Sequence, residues 1–341
     1  MRKAVFTLCL LASALSLADA FAPSAISRVT TPKAASFSAI KPLTLRSSKT
    51  SPLSSVKMGF FDALKDLAMP TEVADMPNVA PTVAAAEGAL TWTAGVSEIE
   101  DPRHPMEDAW FASERDFGVF DGVTGAAKAS FGDVYSFQLS GSTFSNMQRQ
   151  RENMGRVNPE LALEGAAAAL ADAKTVGSST ACAVTVDTTS QPGFTILDGV
   201  NIGDSGVVVV RQTGEGQRPE MAYKTVPQMH YFNCPFQLGG ASPDTPDQAT
   251  KIKVPLVSGD IVVIASDGLY DNVYDSQIID LLEATAGQDP NVQAQALVAY
   301  ARQVQEDPAV MTPYGVDAAQ NGQTFVGGKL DDTVALVVQF Q

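Results

Sequence analysis

The pattern of apolar and polar positions after residue 90 predicts short strands interrupted by two pairs of helices. Apolar runs rich in valine and isoleucine are typical of buried strands, whereas longer Ala/Leu-rich or amphipathic stretches favour helices. Strands are predicted at 109–113, 117–120, 179–187, 194–201, 206–212, 221–224, 252–257, 261–265 and 333–340, and helices at 133–151, 158–175, 276–286 and 292–306.

The order of these elements predicts an α+β fold. One helix pair separates the early strands from the strand-rich middle, and a second pair precedes the last strand. This order favours a central β-sandwich of two mainly antiparallel sheets, flanked by helix pairs on both outer faces. It does not match the regular βαβ alternation of a dinucleotide-binding fold.

The first 57 residues have the composition of a targeting leader. Arg2 and Lys3 precede an apolar stretch at 4–18, and Ala18-Asp19-Ala20 has the small-x-small form of a cleavage site. A signal peptide at 1–20 is favoured over a membrane anchor because the apolar stretch is too short for a comfortable span. Residues 21–57 are basic, rich in Ser and Thr and free of acids, like a transit peptide. The whole leader resembles those of algae with complex plastids; secretion is the alternative.

Two further segments precede the strand-rich body. The sequence at 59–68, GFFDALKDLA, predicts a short amphipathic helix, and 69–87 reads as a Pro/Ala-rich linker. We expect the helix to cap its own domain; docking on a partner or a membrane is the alternative. The catalytic domain is then expected to span 90–341, with no transmembrane segment in the mature protein, and to be a monomer.

Charge is distributed very unevenly along the 341 residues, whose net charge is −15. Residues 1–57 hold eight basic residues and one acid, which leaves 15 basic and 37 acidic residues for the remainder. An acidic body repels phosphate backbones, which argues against nucleic-acid binding. It suits a site that gathers hard cations. Three cysteines without a CxxC pair and only two histidines argue against a zinc site.

Acidic residues recur where predicted apolar strands begin or end. Carboxylates that converge at one edge of a sandwich repel each other unless a cation lies among them. Oxygen ligands favour Mg²⁺ or Mn²⁺ over zinc. Each acid taken singly is also a common turn residue. The candidates are Glu107, Asp108, Asp121, Asp204, Asp267, Asp271, Asp331 and Asp332.

Five short motifs, read in order, resemble those of the metal-dependent PPM (type-2C) protein phosphatases. The resemblance covers about 90–341, and the segment HYFNCPFQL at 230–238 is similar to an organellar subgroup, the T-cell-activation protein phosphatase homologues. The motifs are MEDA at 106–109, VFDGV at 119–123, IGDSG at 202–206, ASDGLYD at 265–271 and KLDD at 329–332.

The resemblance implies a role for each matching residue. Asp121 would bridge two Mg²⁺ or Mn²⁺ ions, and Asp267 with Asp331 would complete one coordination shell. Glu107 and the carbonyl of Gly122 would help to hold the other ion. The remaining roles implied are orientation of metal waters by Asp108 and Asp332, a weaker third metal site at Asp204, Asp267 and Asp271, and phosphate binding by Arg103.

The implied reaction is hydrolysis of phosphoserine and phosphothreonine in phosphoprotein substrates. A water that bridges the two metals would attack phosphorus in line, without a phosphoenzyme. Many members of the family have a histidine after the bridging Asp-Gly, where this chain has Val123. His104 is a candidate substitute as general acid, and a surface-loop histidine is the alternative. His230 is interpreted as a packing or hydrogen-bonding residue.

Two alternatives from other classes of function are compatible with the sequence. A pseudophosphatase would keep the fold and act as a binding module, for which the missing histidine is the one supporting observation. A Ca²⁺-binding sandwich or a different metal hydrolase is the second alternative, although no compact DxDxDG loop is present. Metal-dependent turnover of a phosphoester separates an enzyme from a binding module.

Overall fold

The computed structural model describes residues 90–123, 135–173, 175–214, 216–240 and 242–341. All of them belong to one compact unit of the chain, residues 73–341. The predicted leader, the amphipathic helix at 59–68 and the linker at 69–87 lie outside the described residues. No helix among the described residues is long and apolar enough to cross a membrane.

Two five-stranded sheets form the centre of the fold, and every pairing within them is antiparallel. Their strands are β1 (Trp92–Ile99), β2 (Ala109–Ala112), β3 (Asp116–Phe120), β5 (Ala181–Asp187), β6 (Thr195–Ile202), β7 (Gly206–Arg211), β8 (Glu220–Lys224), β12 (Thr250–Leu256), β13 (Ile261–Ala265) and β14 (Thr333–Phe340). The first sheet has the order β1-β14-β13-β7-β8 and the second the order β12-β6-β5-β3-β2. Two short ribbons pair β4 (Ser178–Ser179) with β11 (Leu238–Gly239), and β9 (Met229–Tyr231) with β10 (Cys234–Pro235).

The central strands are apolar on both faces because both faces are covered. Alternate residues of β5, such as Cys182 and Val184, join the core between the two sheets, whereas Ala181 and Ala183 pack beneath helices. Since side chains alternate across a strand, a strand buried on both sides reads as a continuous apolar run. The core between the sheets also takes in Leu336 of β14.

Helices cover both outer faces of the sandwich. On the second sheet lie α1 (Tyr135–Met154) and α2 (Pro159–Asp172). On the first lies α5 (Pro290–Gln305), with α4 (Asp275–Ala284) packed against it. Two shorter helices are α3 (Asp267–Tyr270) and α6 (Pro313–Gln320). The predicted α+β sandwich with flanking helix pairs is therefore confirmed.

Several predicted boundaries need correction. The strand predicted at 179–187 is interrupted at Thr180, whose hydroxyl turns into the buried interior and contacts Ser205 Oγ at 2.8 Å. The helix predicted at 158–175 ends at Asp172, and Asn158 is its N-cap: its side chain accepts from the Leu161 amide at 3.2 Å. Strand β1, the ribbon strands β9, β10 and β11, and the helices α3 and α6 were not predicted, whereas β4 overlaps the strand predicted at 179–187 at Ser179.

Candidate metal centre

The register of the strands brings the acidic motifs to one end of the sandwich. Ala265, the last residue of β13, pairs with Gly206 of β7 and with Ala335 of β14. Asp267, Asp204 and the acids before β14 therefore leave neighbouring strands at the same edge. On the second sheet Ala109 pairs with Phe120, which places the acids at 107–108 beside Asp121.

Three carboxylates come together at this edge. One oxygen from each of Asp121, Asp204 and Asp267 lies within 4.8 Å of the others. Asp267 is 7% exposed, and the other two are half-buried. Oxygens at this spacing can share one hard cation or bind two neighbouring ones. These three residues are the nucleus of the candidate site, and the sequence predicted all three.

Two buried carboxylate oxygens at the site have no hydrogen-bond partner among the described residues. They are Asp108 Oδ2 and Asp204 Oδ1. Buried polar atoms are almost always paired, because an unpaired one loses its interaction with water without replacement. The donor set here is all oxygen, which is the chemistry of Mg²⁺ and Mn²⁺. The residues present therefore fit hard divalent cations.

The electrostatics show that negative charge exceeds positive charge in the cluster. Burial, then the neighbouring carboxylates, raise the pKa of Asp121 well above its usual value. Burial and the charges of its neighbours likewise raise the pKa of Asp108 and Asp204. Burial with the charge of Asp267 raises the pKa of Asp331 to about 7. A bound divalent cation would reverse these shifts, since it favours the ionised form.

Two glycines let the backbone approach closely at the site. A Cβ on Gly122 would lie 2.5 Å from the carbonyl oxygen of Glu107, and one on Gly268 would lie 1.9 Å from that of Asp332. Neither position can carry a side chain without a shift of the backbone. The Asp-Gly pairs of the sequence thus bring 121–122 against Glu107, and 267–268 against Asp332.

Asp332 organises the loop that precedes β2. Its Oδ1 accepts from the Asp101 amide at 2.6 Å, and its Oδ2 accepts from the Glu107 amide at 2.7 Å. Ser136 donates its hydroxyl to the carbonyl of Glu107. These bonds fix the backbone on both sides of Arg103. Burial raises the pKa of Glu107.

Arg103 lies at the rim of the cluster. Its guanidinium donates from Nε to Asp101 Oδ1 at 2.9 Å and from Nη2 to the Leu330 carbonyl at 2.6 Å. The Asp101 carboxylate is fully buried, whereas the Arg103 side chain is 62% exposed. The buried acid thus orients a guanidinium that still faces solvent beside the carboxylates. Arg103 was predicted from the sequence as a site residue, whereas its partner Asp101 was not.

Lys329 places a cation inside the cluster, which the sequence analysis did not anticipate. Its Nζ lies 2.5 Å from Asp267 Oδ2, 2.6 Å from Asp271 Oδ2 and 3.1 Å from Asp331 Oδ2. Burial lowers the pKa of Lys329, but the three carboxylates outweigh it, so the net shift is well upward. The one sequence feature that pointed to Lys329 was its position in the KLDD motif, two residues before Asp331.

Both histidines are held by local contacts. His104 Nδ1 lies 3.0 Å from the Pro105 carbonyl, and its Nε2 lies 3.5 Å from Asp101 Oδ2. Burial lowers the pKa of His104, but the Pro105 carbonyl and the nearby acids, Asp332 first, raise it overall. His230 contacts Asp244 at 2.9 Å and stacks on Phe236 at 4.1 Å between ring centroids, a hydrogen-bonding and packing residue as interpreted.

Comparison with solved structures identifies the fold as that of the PPM phosphatases. The X-ray structure of the photosystem II phosphatase PBCP matches with a TM-score of 0.62 and 29% identity, covering 73% of this chain and 99% of that one. The catalytic domain of the serine/threonine phosphatase PstP, solved with two manganese ions, matches with a TM-score of 0.51 over 74% of this chain at 18% identity. The second likeness concerns the fold alone. No family model matches the sequence.

Curated relatives give the family directly. Probable protein phosphatase 2C 1 of Oryza sativa subsp. japonica is 32% identical over 266 residues, covering 72% of this chain and 75% of the relative. The PTC7 homolog fig of Drosophila virilis is 32% identical over 256 residues, covering 69% and 78%. The chain belongs to the protein phosphatase 2C (PPM) family. It spans about half the length of two Arabidopsis thaliana relatives, probable protein phosphatases 2C 55 and 80, with 47% and 53% of each covered.

Proposed function

We propose that this chain is a metal-dependent protein serine/threonine phosphatase. The observation that carries the proposal is the cluster of Asp121, Asp204 and Asp267 with unpaired buried oxygens at one end of a PPM sandwich. Buried carboxylates that lack donors are costly to the fold, so their retention favours a bound cation. The names of the relatives, all protein phosphatases, support the same activity.

The cluster would hold two Mg²⁺ or Mn²⁺ ions. As the resemblance implies, Asp121 would contribute to both ions, Asp267 with Asp331 would hold one of them, and Glu107 with the Gly122 carbonyl would hold the other. Bound ions of this kind supply Lewis acidity, activating water and neutralising the charge of a phosphoryl group. Asp108, with its free Oδ2, and Asp332 would orient the waters around the ions.

Substrate binding falls to Arg103. Asp101 and the Leu330 carbonyl engage Nε and Nη2 of the guanidinium and fix its orientation, so Nη1 of this exposed side chain would be the group that donates to a phosphate. Asp332 keeps the loop in place through the Asp101 and Glu107 amides. Both ring nitrogens of His104 face oxygen atoms of its own loop, which favours a loop histidine over the general acid.

The substrates would be phosphoproteins, and the proposed compartment is the plastid. The bipartite leader at 1–57 supports this compartment, as do relatives from rice and Arabidopsis and the structural likeness to a photosystem II phosphatase. A fusion of residues 1–57 to a fluorescent protein tests it, with import into plastids expected and secretion as the contradicting outcome. We propose residues 90–341 as the catalytic domain and a monomer as the working form.

Phosphate release from a phosphothreonine peptide by the full chain tests the activity. We expect turnover in Mn²⁺ or Mg²⁺, none in EDTA, and recovery when metal is restored. A phosphotyrosine peptide of the same sequence serves as the control for the serine/threonine class. A folded, metal-loaded chain that binds the peptide without turnover would overturn the proposal in favour of the pseudophosphatase alternative.

A further inference from the structure

We propose that the ammonium of Lys329 is a built-in cation that takes the place of a third divalent ion, so that the chain binds two ions and not three. The inference rests on the proposed function, because it concerns the same cluster. A third ion would be expected at Asp204, Asp267 and Asp271. Lys329 Nζ already lies within hydrogen-bond distance of Asp267 and Asp271.

The ammonium is placed by the backbone as well as by its charge. The buried side chain of Asn272 accepts from the Lys329 amide at 2.8 Å and donates to the Lys329 carbonyl at 3.0 Å. The same Nδ2 donates to the Gly268 carbonyl at 2.9 Å, which ties position 329 to the segment that carries Asp267 and Asp271. The anchored backbone fixes the point from which the Lys329 side chain extends, and the ion pairs then offset the rotamer freedom that the side chain loses.

The surroundings of the head group are those of a preformed cation position. The side chain of Lys329 is 17% exposed, and Nζ lies 5.2 Å from the centroid of the Tyr314 ring, within range of a cation–π contact. Together with Asp331 at 3.1 Å, three carboxylates and one aromatic ring surround a single ammonium. A divalent ion bound to Asp271 would have to displace this group or approach it against charge repulsion.

The two principal ions are not excluded by this arrangement. The Lys329 contact to Asp267 uses Oδ2, and a carboxylate has a second oxygen that could serve the cluster with Asp121 and Asp204. Asp121 and Asp108 are not among the three carboxylates that contact the ammonium, and Asp204 Oδ1 has no hydrogen-bond donor among the described residues. Lys329 thus satisfies Asp271, would share Asp267 and Asp331 with one of the principal ions, and leaves Asp121 and Asp204 for metal.

Equilibrium dialysis against Mn²⁺ counts the bound ions on the full chain, independently of activity. We expect two ions for the natural chain, two for Lys329→Arg, and a third for Lys329→Met, which removes the charge and keeps the length. The two principal ions should also bind at least about tenfold more tightly to Lys329→Met, because a nearby positive charge is gone. Adding Asp271→Asn to Lys329→Met should abolish the third ion.

Lys224→Met is the matched control, since Lys224 Nζ also pairs with an acid, Asp275 at 2.6 Å, but outside the cluster. It should still bind two ions with unchanged affinity. Three ions on the natural chain would overturn the inference even if Lys329→Met failed to fold, and so would two ions of unchanged affinity on a folded Lys329→Met. A natural chain that binds no Mn²⁺ would instead contradict the proposed function.

Discussion

Two groups of buried carboxylates in this molecule differ in how they are neutralised. Asp116 and Asp260 are fully buried at the distal side of the sandwich, and each is paired with an arginine. Asp260 accepts from Arg211 Nε and Nη2, both at 2.7 Å, and Asp116 accepts from Gln148 at 2.9 Å as well as from Arg151. Asp108 and Asp204, in the cluster, each keep an oxygen that has no donor within the described part of the chain.

The difference separates acids that stabilise the fold from acids that need a cation. A buried carboxylate is tolerated when donors replace its water, and removal of one partner is then strongly destabilising. A carboxylate without donors raises the free energy of the metal-free protein, and its pKa rises accordingly. The first kind of acid belongs to the stability of the sandwich and the second to the chemistry at its end.

Replacement of Asp121 should have the largest effect on activity. Asp121→Asn keeps the shape of the side chain but removes the charge that is proposed to bridge the ions. We expect kcat/KM for a phosphothreonine peptide to fall by about 10³-fold, and the metal-free protein to become more stable because a repelling charge is gone. Asp317→Asn, on the exposed face of α6, is the control and should stay within about twofold. Near-normal activity of Asp121→Asn would erase the distinction between the two groups of acids.

Replacement of Asp116 should show the opposite behaviour. Asp116→Ala leaves Arg151 without its buried partner, and we expect the free energy of unfolding to fall by about 3 kcal/mol. Urea denaturation measures the loss, and activity per folded molecule should be unchanged. Asp172→Ala at the exposed end of α2 is the control, expected within about 0.5 kcal/mol. A loss below 1 kcal/mol for Asp116→Ala would contradict the assignment.

Arg103 connects the two kinds of acid. It pairs with the buried carboxylate of Asp101 and also faces the cluster. Arg103→Met should raise KM for the phosphopeptide about tenfold, equivalent to about 1.4 kcal/mol of lost phosphate binding, with little change in the Mn²⁺ concentration for half-activation. Arg103→Lys should recover only part of the loss, because an ammonium lacks the planar fork. An equal rise in KM and in the Mn²⁺ requirement would place Arg103 in metal binding instead.

Metal removal should make stability depend on pH. Burial raises the pKa of Asp271 to about 6 and that of Asp331 to about 7 in the folded, metal-free chain. Acids with raised pKa values bind more protons when folded than when unfolded, so stability falls as pH rises from about 4 through 7. In EDTA we expect the melting temperature to drop by about 2–4 °C over this range.

The control for this experiment is the same series of melts in Mn²⁺. The stabilisation that Mn²⁺ provides should grow with pH, because ionised carboxylates bind it more tightly. Melting temperatures in EDTA that rise steadily from pH 5 to 8 would show that the cluster acids are not repelling each other in the metal-free chain.

Elements with a clear apolar pattern were predicted from the sequence, and elements with a weak or short pattern were missed. Strand β13 was predicted with the bounds it has, Ile261–Ala265, because its apolar run is short and uninterrupted. Strand β1 was missed because Gly95 and Ser97 weaken the apolar signal, although β14 pairs with its whole length. Helix α6 is too short, and begins with too weak a pattern, to be recognised.

At the candidate site, the convergence of the acids could be predicted from the sequence, but the direction of individual side chains could not. Acids next to strand ends could be predicted to converge, because strand ends meet at an edge. The cation of Lys329 could not, since four residues of sequence, KLDD, do not say which way a lysine points. Its contact to Asp267 spans 62 positions and depends on how Asn272 holds the backbone.

Anomalous diffraction from Mn²⁺-soaked crystals of the full chain tests the central claim most directly, because it locates ions without relying on turnover. The account predicts two manganese peaks at the end of the sandwich, with Asp121 ligating both and Lys329 still bound to Asp271. An empty cluster at saturating Mn²⁺, or peaks confined to acids elsewhere on the surface, would contradict it.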